Sequence, residues 1–161
     1  MLHCLFVVKQ FLDKLIEWVC IFIVGAMTIL ITYQVISRYI FNSPSAVSEI
    51  LSRYFFVWLI LFASAYVFGK REHMEINFLK NKLPSSLKRL ANVIAEIALS
   101  CFAIGVMIIG GYSASVRQMF QLDSALQIPM GFIYSAIPIS GAIIVFYSLC
   151  NILSFYQSGK E

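Results

Sequence analysis

The sequence predicts an all-α integral membrane protein with four transmembrane helices and a short interfacial amphipathic helix between the second and third. Three observations carry this expectation. Apolar runs at residues 16–36, 50–68, 91–113 and 133–155 each approach the roughly 20 residues a helix needs to cross a bilayer. Hydrocarbon offers no water to satisfy backbone groups, so runs of this length span as helices. Hydrophobic residues make up 60% of the 161-residue chain and charged residues 12%, with a mean hydropathy of +0.85. A soluble domain would need far more polar surface. The connections are short, so the spans consume nearly the whole length and define one four-helix membrane domain over residues 1–161.

The first run is too long for a signal-peptide apolar region and lacks a small-residue cleavage site after it, so it is expected to be retained as helix one. Asn42, Ser43 and Pro44 stop that helix, and Ser43 as N-cap with Pro44 in the first turn would start helix two. Between residues 71 and 83, Ile76, Leu79 and Leu83 share one helical face, while Glu72, Asn77, Lys80 and Lys82 lie elsewhere. That pattern suits an amphipathic helix in the membrane interface, although Met74 and Phe78 fall off the apolar face and an irregular basic loop is the alternative. Pro84, Ser85 and Ser86 separate this segment from helix three, which should begin near Leu87. Helix four follows over residues 133–155.

Orientation follows from the basic residues. Lys70, Arg71, Lys80, Lys82, Lys88 and Arg89 crowd the connection between helices two and three, and short loops rich in Lys and Arg stay cytoplasmic. Both termini are then cytoplasmic, in a multi-pass protein. The net charge of +4 gathers at the membrane boundaries, which suits lipid headgroups and gives no reason to expect a nucleic-acid partner.

Chemistry is sparse. Cys4, Cys20, Cys101 and Cys150 form no C-x-x-C pair, and the only histidines, His3 and His73, lie outside the spans, so neither haem ligation nor a zinc site is expected. No Ser, His and Asp cluster exists, so no enzyme and no cofactor is predicted. The informative residues are charged ones near or in a span, which are costly unless they meet a partner. Glu49 and Arg53 are spaced i, i+4 on helix two; they either neutralise each other for a few tenths of a kcal/mol or hold the helix against another subunit. Together with Arg38, Arg117 and Asp123 they give the outward connections mixed charge able to fix the register of a partner. Glu96 is the deepest acid and is read as an intramembrane structural group, with ion coupling as the alternative. The four spans lack the paired broken helices of a complete secondary transporter, so the chain reads as part of a larger machine.

The residues also carry a family pattern. Val35-Ile-Ser-Arg-Tyr-Ile-Phe-Asn-Ser-Pro44, then Glu49 with Arg53 and Trp58, Gly69, Glu72-His73, Leu83-Pro84, and finally Ser124-Ala-Leu-Gln-Ile-Pro129 with Tyr134 and Pro138, resemble the small membrane subunit of tripartite ATP-independent periplasmic (TRAP) transporters. The likeness covers almost the whole chain. Val47 stands where that pattern often has Trp and Ser64 where Gly is common, so neither position takes a familiar role.

The resemblance implies a bacterial inner-membrane importer driven by Na⁺ rather than ATP. A periplasmic substrate-binding protein delivers an organic acid to a large elevator-type membrane subunit, and the small subunit is a scaffold and part of the docking surface. Arg38, Tyr54, Trp58, Tyr66 and Tyr112 would anchor it at the interfaces, and Gly105, Gly110, Gly111 and Ala114 would allow close helix approach. Sialic acid is the favoured substrate, with C4-dicarboxylates and other carboxylates open. A self-sufficient small transporter or channel and a membrane-embedded enzyme are the rival readings.

Overall fold

A computed structural model describes residues 2–70 and 85–157, with side chains resolved over 7–70 and 93–152. Helix α1 runs Leu2–Tyr39, α2 Ala46–Lys70 and α3 Ser85–Phe102. A π-helical stretch, Ala103–Gly110, continues α3 into α4, Gly111–Gln118; a single turn, α5 (Gly131–Tyr134), then leads into α6, Ala136–Gln157. Four stretches are long and apolar enough to span a bilayer: Val7–Tyr39, Ala46–Lys70, Val93–Gln118 and Gly131–Ile152. The expected amphipathic segment with Ile76, Leu79 and Leu83 lies outside the described residues.

Several boundaries differ from expectation, each for a physical reason. The apolar run marked only the part of helix one that fits hydrocarbon. The 38 residues of α1 extend about 57 Å at 1.5 Å per residue, well beyond a core about 30 Å thick. Ser43 does not cap helix two. Asn42 takes a left-handed φ of 50°, Ser43 turns back to bond Ser37, and Ser45 caps α2 by accepting from the Ser48 amide at 3.5 Å. Helix three starts at Ser85 rather than near Leu87. Helix four is interrupted at Ser135 because Pro138 has no N–H to offer the carbonyl four residues back.

The helices lie side by side in the order one, two, four, three. Helix α1 packs on α2, α2 on α6, and α6 on α3 and the π stretch, while among the described residues α1 meets α6 only lightly and shares no substantial surface with helix three. The small core runs across this layer through Ala65, Ile144 and Ala103, flanked by Phe68, Leu99 and Met107. Close approach depends on glycine: a Cβ on Gly141 would lie 2.7 Å from Met107 Cβ, and one on Gly111 2.9 Å from Ile137. By contrast, Gly105 has nothing within 4 Å of such a Cβ, and Gly110 meets only its own helix, at 3.8 Å. Gly111 therefore serves internal packing, and the other two lie on an open face.

Candidate docking surface and the polar contacts beneath it

The turn joining α1 to α2, the 119–130 loop and the start of α5 lie at one end of the molecule, and Lys70 lies at the other. Most predicted site residues belong to the first end. Arg38 and Arg117 occupy the last turns of α1 and α4 and are exposed. Glu49 and Arg53 form the expected ion pair at 3.5 Å, with side chains 69% and 67% exposed. In water such a pair contributes little to stability, so its charges stay available to a partner.

Asp123 behaves differently from its neighbours. It is 5% exposed, and both carboxylate oxygens are engaged. The Tyr54 hydroxyl donates to Oδ2, and the amides of Ala125 and Leu126 donate to Oδ1 at 2.9 and 3.2 Å. These bonds, led by the one from Tyr54, hold the Asp123 carboxyl below the usual carboxylate range. The loop is closed further by the Asp123 amide on Ile128 O at 3.0 Å, the Met130 amide on Gln121 O at 2.9 Å, an antiparallel bridge between Leu122 and Pro129, and Gln127 at a left-handed φ of 54°. Asp123 thus fixes the shape of the loop, and Arg38, Glu49, Arg53 and Arg117 carry the accessible charge around it.

Glu96 is held inside the chain. Ser148 donates to its Oε2 at 2.7 Å and Asn151 to its Oε1 at 3.2 Å, while Ser100 bonds both the Glu96 carbonyl and Ser148 at 2.8 Å. An acid with both oxygens engaged by α6 fastens helix three to helix four. A further contact is announced by no motif in the sequence: the Tyr147 hydroxyl donates to Asp13 at 2.5 Å, with Lys9 5.8 Å from the ring centroid and the ring fully buried. The Tyr54–Asp123 and Asp13–Tyr147 pairs are separated by 69 and 134 residues, which no local spacing signals. Ser148 and Asn151 were legible in principle, being polar residues three apart on one face of an apolar helix. Among the expected anchors, Tyr112 is exposed, Trp58 stacks edge-on against Phe62 at 5.4 Å, and the Tyr66 ring carries Lys70 at 4.5 Å.

Residues 27–157 match the family model described as tripartite ATP-independent periplasmic transporters, DctQ component. The chain belongs to this family. It is a transporter subunit rather than an enzyme, and with its four spans a multi-pass protein of the bacterial inner membrane. Among its relatives is the small permease protein SiaQ of a sialic acid TRAP transporter from Vibrio cholerae, 27% identical over 92% of this chain and 86% of the relative. The C4-dicarboxylate small permease protein DctQ of the same organism is 29% identical over 66% of this chain and 45% of the relative. The sialic acid TRAP transporter permease protein SiaT of Haemophilus influenzae is 26% identical over 94% of this chain but only 24% of its own length.

Proposed function

We propose that this DctQ-family chain is the stationary scaffold of a Na⁺-coupled importer. Its partners are a large permease that carries the substrate and a periplasmic substrate-binding protein that delivers an organic acid, with sialic acid favoured over C4-dicarboxylates. The observation that carries this reading is the layer itself. Helices ordered one, two, four, three form a single layer, and the deepest acid is engaged within the chain. A broad, thin layer suits a part that must stay still while a neighbour slides. The relative SiaT, in which a segment like this chain makes up about a quarter of a longer permease, supports a partner of that kind beside it.

In this reading the basic stretch from Lys70 to Arg89 and both termini face the cytoplasm. Arg38, Glu49, Arg53 and Arg117 then line the periplasmic rim around the Asp123 loop and steer the binding protein through charge. Reconstitution tests the whole: uptake should require this chain, the large permease, the binding protein and a Na⁺ gradient, with no ATP. Uptake by this chain alone, or full uptake without it, would overturn the proposal.

A further inference from the structure

The outer parts of helices three and four, with the loop between them, are built as one piece. Helix α4, the 119–130 loop and α5 pack mainly on one another. A Cβ on Gly131 would lie 2.5 Å from the Ser115 carbonyl oxygen and 2.7 Å from the Met119 side chain, and the Leu122–Pro129 bridge closes the loop. Interrupted helix bounds this piece on both sides. Before it stand the eight π-helical residues Ala103–Gly110, with Gly105 and Gly110 on an open face; after it stands the break at Ser135. Helices bend where the i→i−4 ladder is interrupted, so both places can act as hinges. Gly111, packed on Ile137 and Pro138, brings the two hinges together at a pivot.

Contact with the rest of the chain is light by comparison. A crevice of about 430 Å³ separates the piece from α2, with Tyr54 and Val57 on one wall and Ser124 and Met130 on the other. Walls that stand apart exchange few dispersion contacts, so little packing resists their separation. Across the crevice the Tyr54 hydroxyl donates to Asp123 Oδ2, the one hydrogen bond from this piece to α1 or α2 among the described residues. The two Asp123 oxygens therefore do separate work. Oδ1 accepts from the Ala125 and Leu126 amides and shapes the loop, and Oδ2 fastens the shaped loop to α2.

We propose that residues 111–134 form a hinged flap, pivoting at the π stretch and at Ser135 and latched onto α2 by the Tyr54–Asp123 hydrogen bond. Phe120 lies ten residues beyond Gly110, a lever of about 15 Å at 1.5 Å per residue, so a bend of about 20° carries it about 5 Å. Arg117 rides on the flap, while Arg38, Glu49 and Arg53 stay with α1 and α2. A partner that grips both sets favours one flap position over the other. That coupling rests on the docking reading above; the flap itself does not.

Spin labels at Phe41→Cys and Phe120→Cys, both largely exposed positions, read the motion by double electron–electron resonance on the full chain in lipid nanodiscs, with Cys4, Cys20, Cys101 and Cys150 changed to Ala. The latched chain should give one narrow distance distribution. Tyr54→Phe removes the latch hydroxyl and keeps the ring, and should add a population displaced by about 5 Å. Amide exchange over residues 121–130 should stay unchanged in that variant, because Oδ1 still holds the loop. Adding Gly105→Ala and Gly110→Ala should stiffen the hinge and remove the displaced population; a Cβ meets nothing at the first position and only its own helix, at 3.8 Å, at the second. A single undisplaced distance in Tyr54→Phe would overturn the flap. So would faster exchange over 121–130, which would mean that the loop unravels instead of moving whole, or a displaced population that survives both glycine changes. In the complete transporter, distances unchanged by the binding protein would overturn the coupling and leave the flap standing.

Discussion

Replacing Gly69 by Ala puts the packing of this layer to a test in which the sign of the effect reverses with one neighbour. Gly69 is buried in the last turns of α2, and a Cβ there would lie 2.8, 2.8 and 2.9 Å from three ring atoms of Tyr147. The ring cannot swing aside cheaply: it is fully buried, and its hydroxyl is tied to Asp13 at 2.5 Å. Overpacking of this kind costs about 1–3 kcal/mol. Ala gains about 1 kcal/mol over Gly in a helix, so the net loss should be up to about 2 kcal/mol. In a Tyr147→Leu background the obstructing ring is gone, and the same Gly69→Ala change should become neutral or stabilising by up to about 1 kcal/mol. The coupling between the two positions should then fall at about 1–3 kcal/mol, within the range seen for residues in contact. Unfolding of the purified chain by sodium dodecyl sulfate in mixed micelles, followed by circular dichroism, measures all four corners of the cycle. An equal effect of Gly69→Ala in both backgrounds would refute the reasoning.

Further outcomes rest on the polar contacts and the glycines. Glu96→Leu strips the acceptor from Ser148 and Asn151 inside the membrane; at about 0.6–1.7 kcal/mol per intramembrane hydrogen bond, the same titration should show a loss of about 1–3 kcal/mol. A stable Glu96→Leu chain with abolished Na⁺-driven uptake would point to coupling instead of structure. Asp123→Ala should speed amide hydrogen exchange over residues 121–130 while exchange in the helices stays unchanged, because the Ala125 and Leu126 amides lose their acceptor. The folded Asp123 carboxyl titrates below its unfolded value of about 4, so its support of the loop is complete above that pH and is lost as pH falls through the lowered value; the Tyr54 ring resonances should report this only in acid. Gly131→Ala should be the most damaging of the glycine changes, since its Cβ would sit 2.5 Å from the Ser115 carbonyl oxygen, a backbone atom that cannot rotate away, and the chain should fail to accumulate in the membrane.

Hydropathy made the four spans legible because burial in hydrocarbon is a property of composition over about 20 residues, and it survives without any knowledge of packing. Helix ends were less legible. The chain stays helical through the headgroup zone, as at Lys9, Asp13 and Lys14 in α1, where apolarity has already stopped. The π stretch and the break at Ser135 depend on how α3 and α6 meet and on a missing N–H, and only Pro138 announced itself in the sequence. At the candidate surface, the Glu49–Arg53 pair was readable because i, i+4 spacing is local. The commitment of Asp123 to Tyr54 was not, since it joins a loop to a helix two spans away, and it turns one of five expected docking charges into the pin that shapes the loop.

These polar contacts also explain how so thin a layer keeps its shape. Apolar burial drives little association between helices already in lipid, so each neighbouring pair needs specific packing or a hydrogen bond. The described residues supply such links at most junctions, while the seam between α2 and α6 is closed by packing, with Gly69 against the Tyr147 ring and Ala65 beside Ile144. Gln34 on α1 donates to Ser48 O at 2.7 Å and Ser52 at 2.9 Å on α2; Asp13 on α1 meets Tyr147 on α6; Tyr54 on α2 meets Asp123; and Glu96 on α3 meets Ser148 and Asn151 on α6. The links fall at both ends of the bundle: Gln34 and Tyr54 near the candidate docking surface, Tyr147 and Glu96 toward the opposite one. A layer pinned at both ends resists shear between its helices. Removing the Tyr54 hydroxyl together with the Glu96 carboxylate should therefore loosen the layer more than either change alone, even though the two groups share no contact.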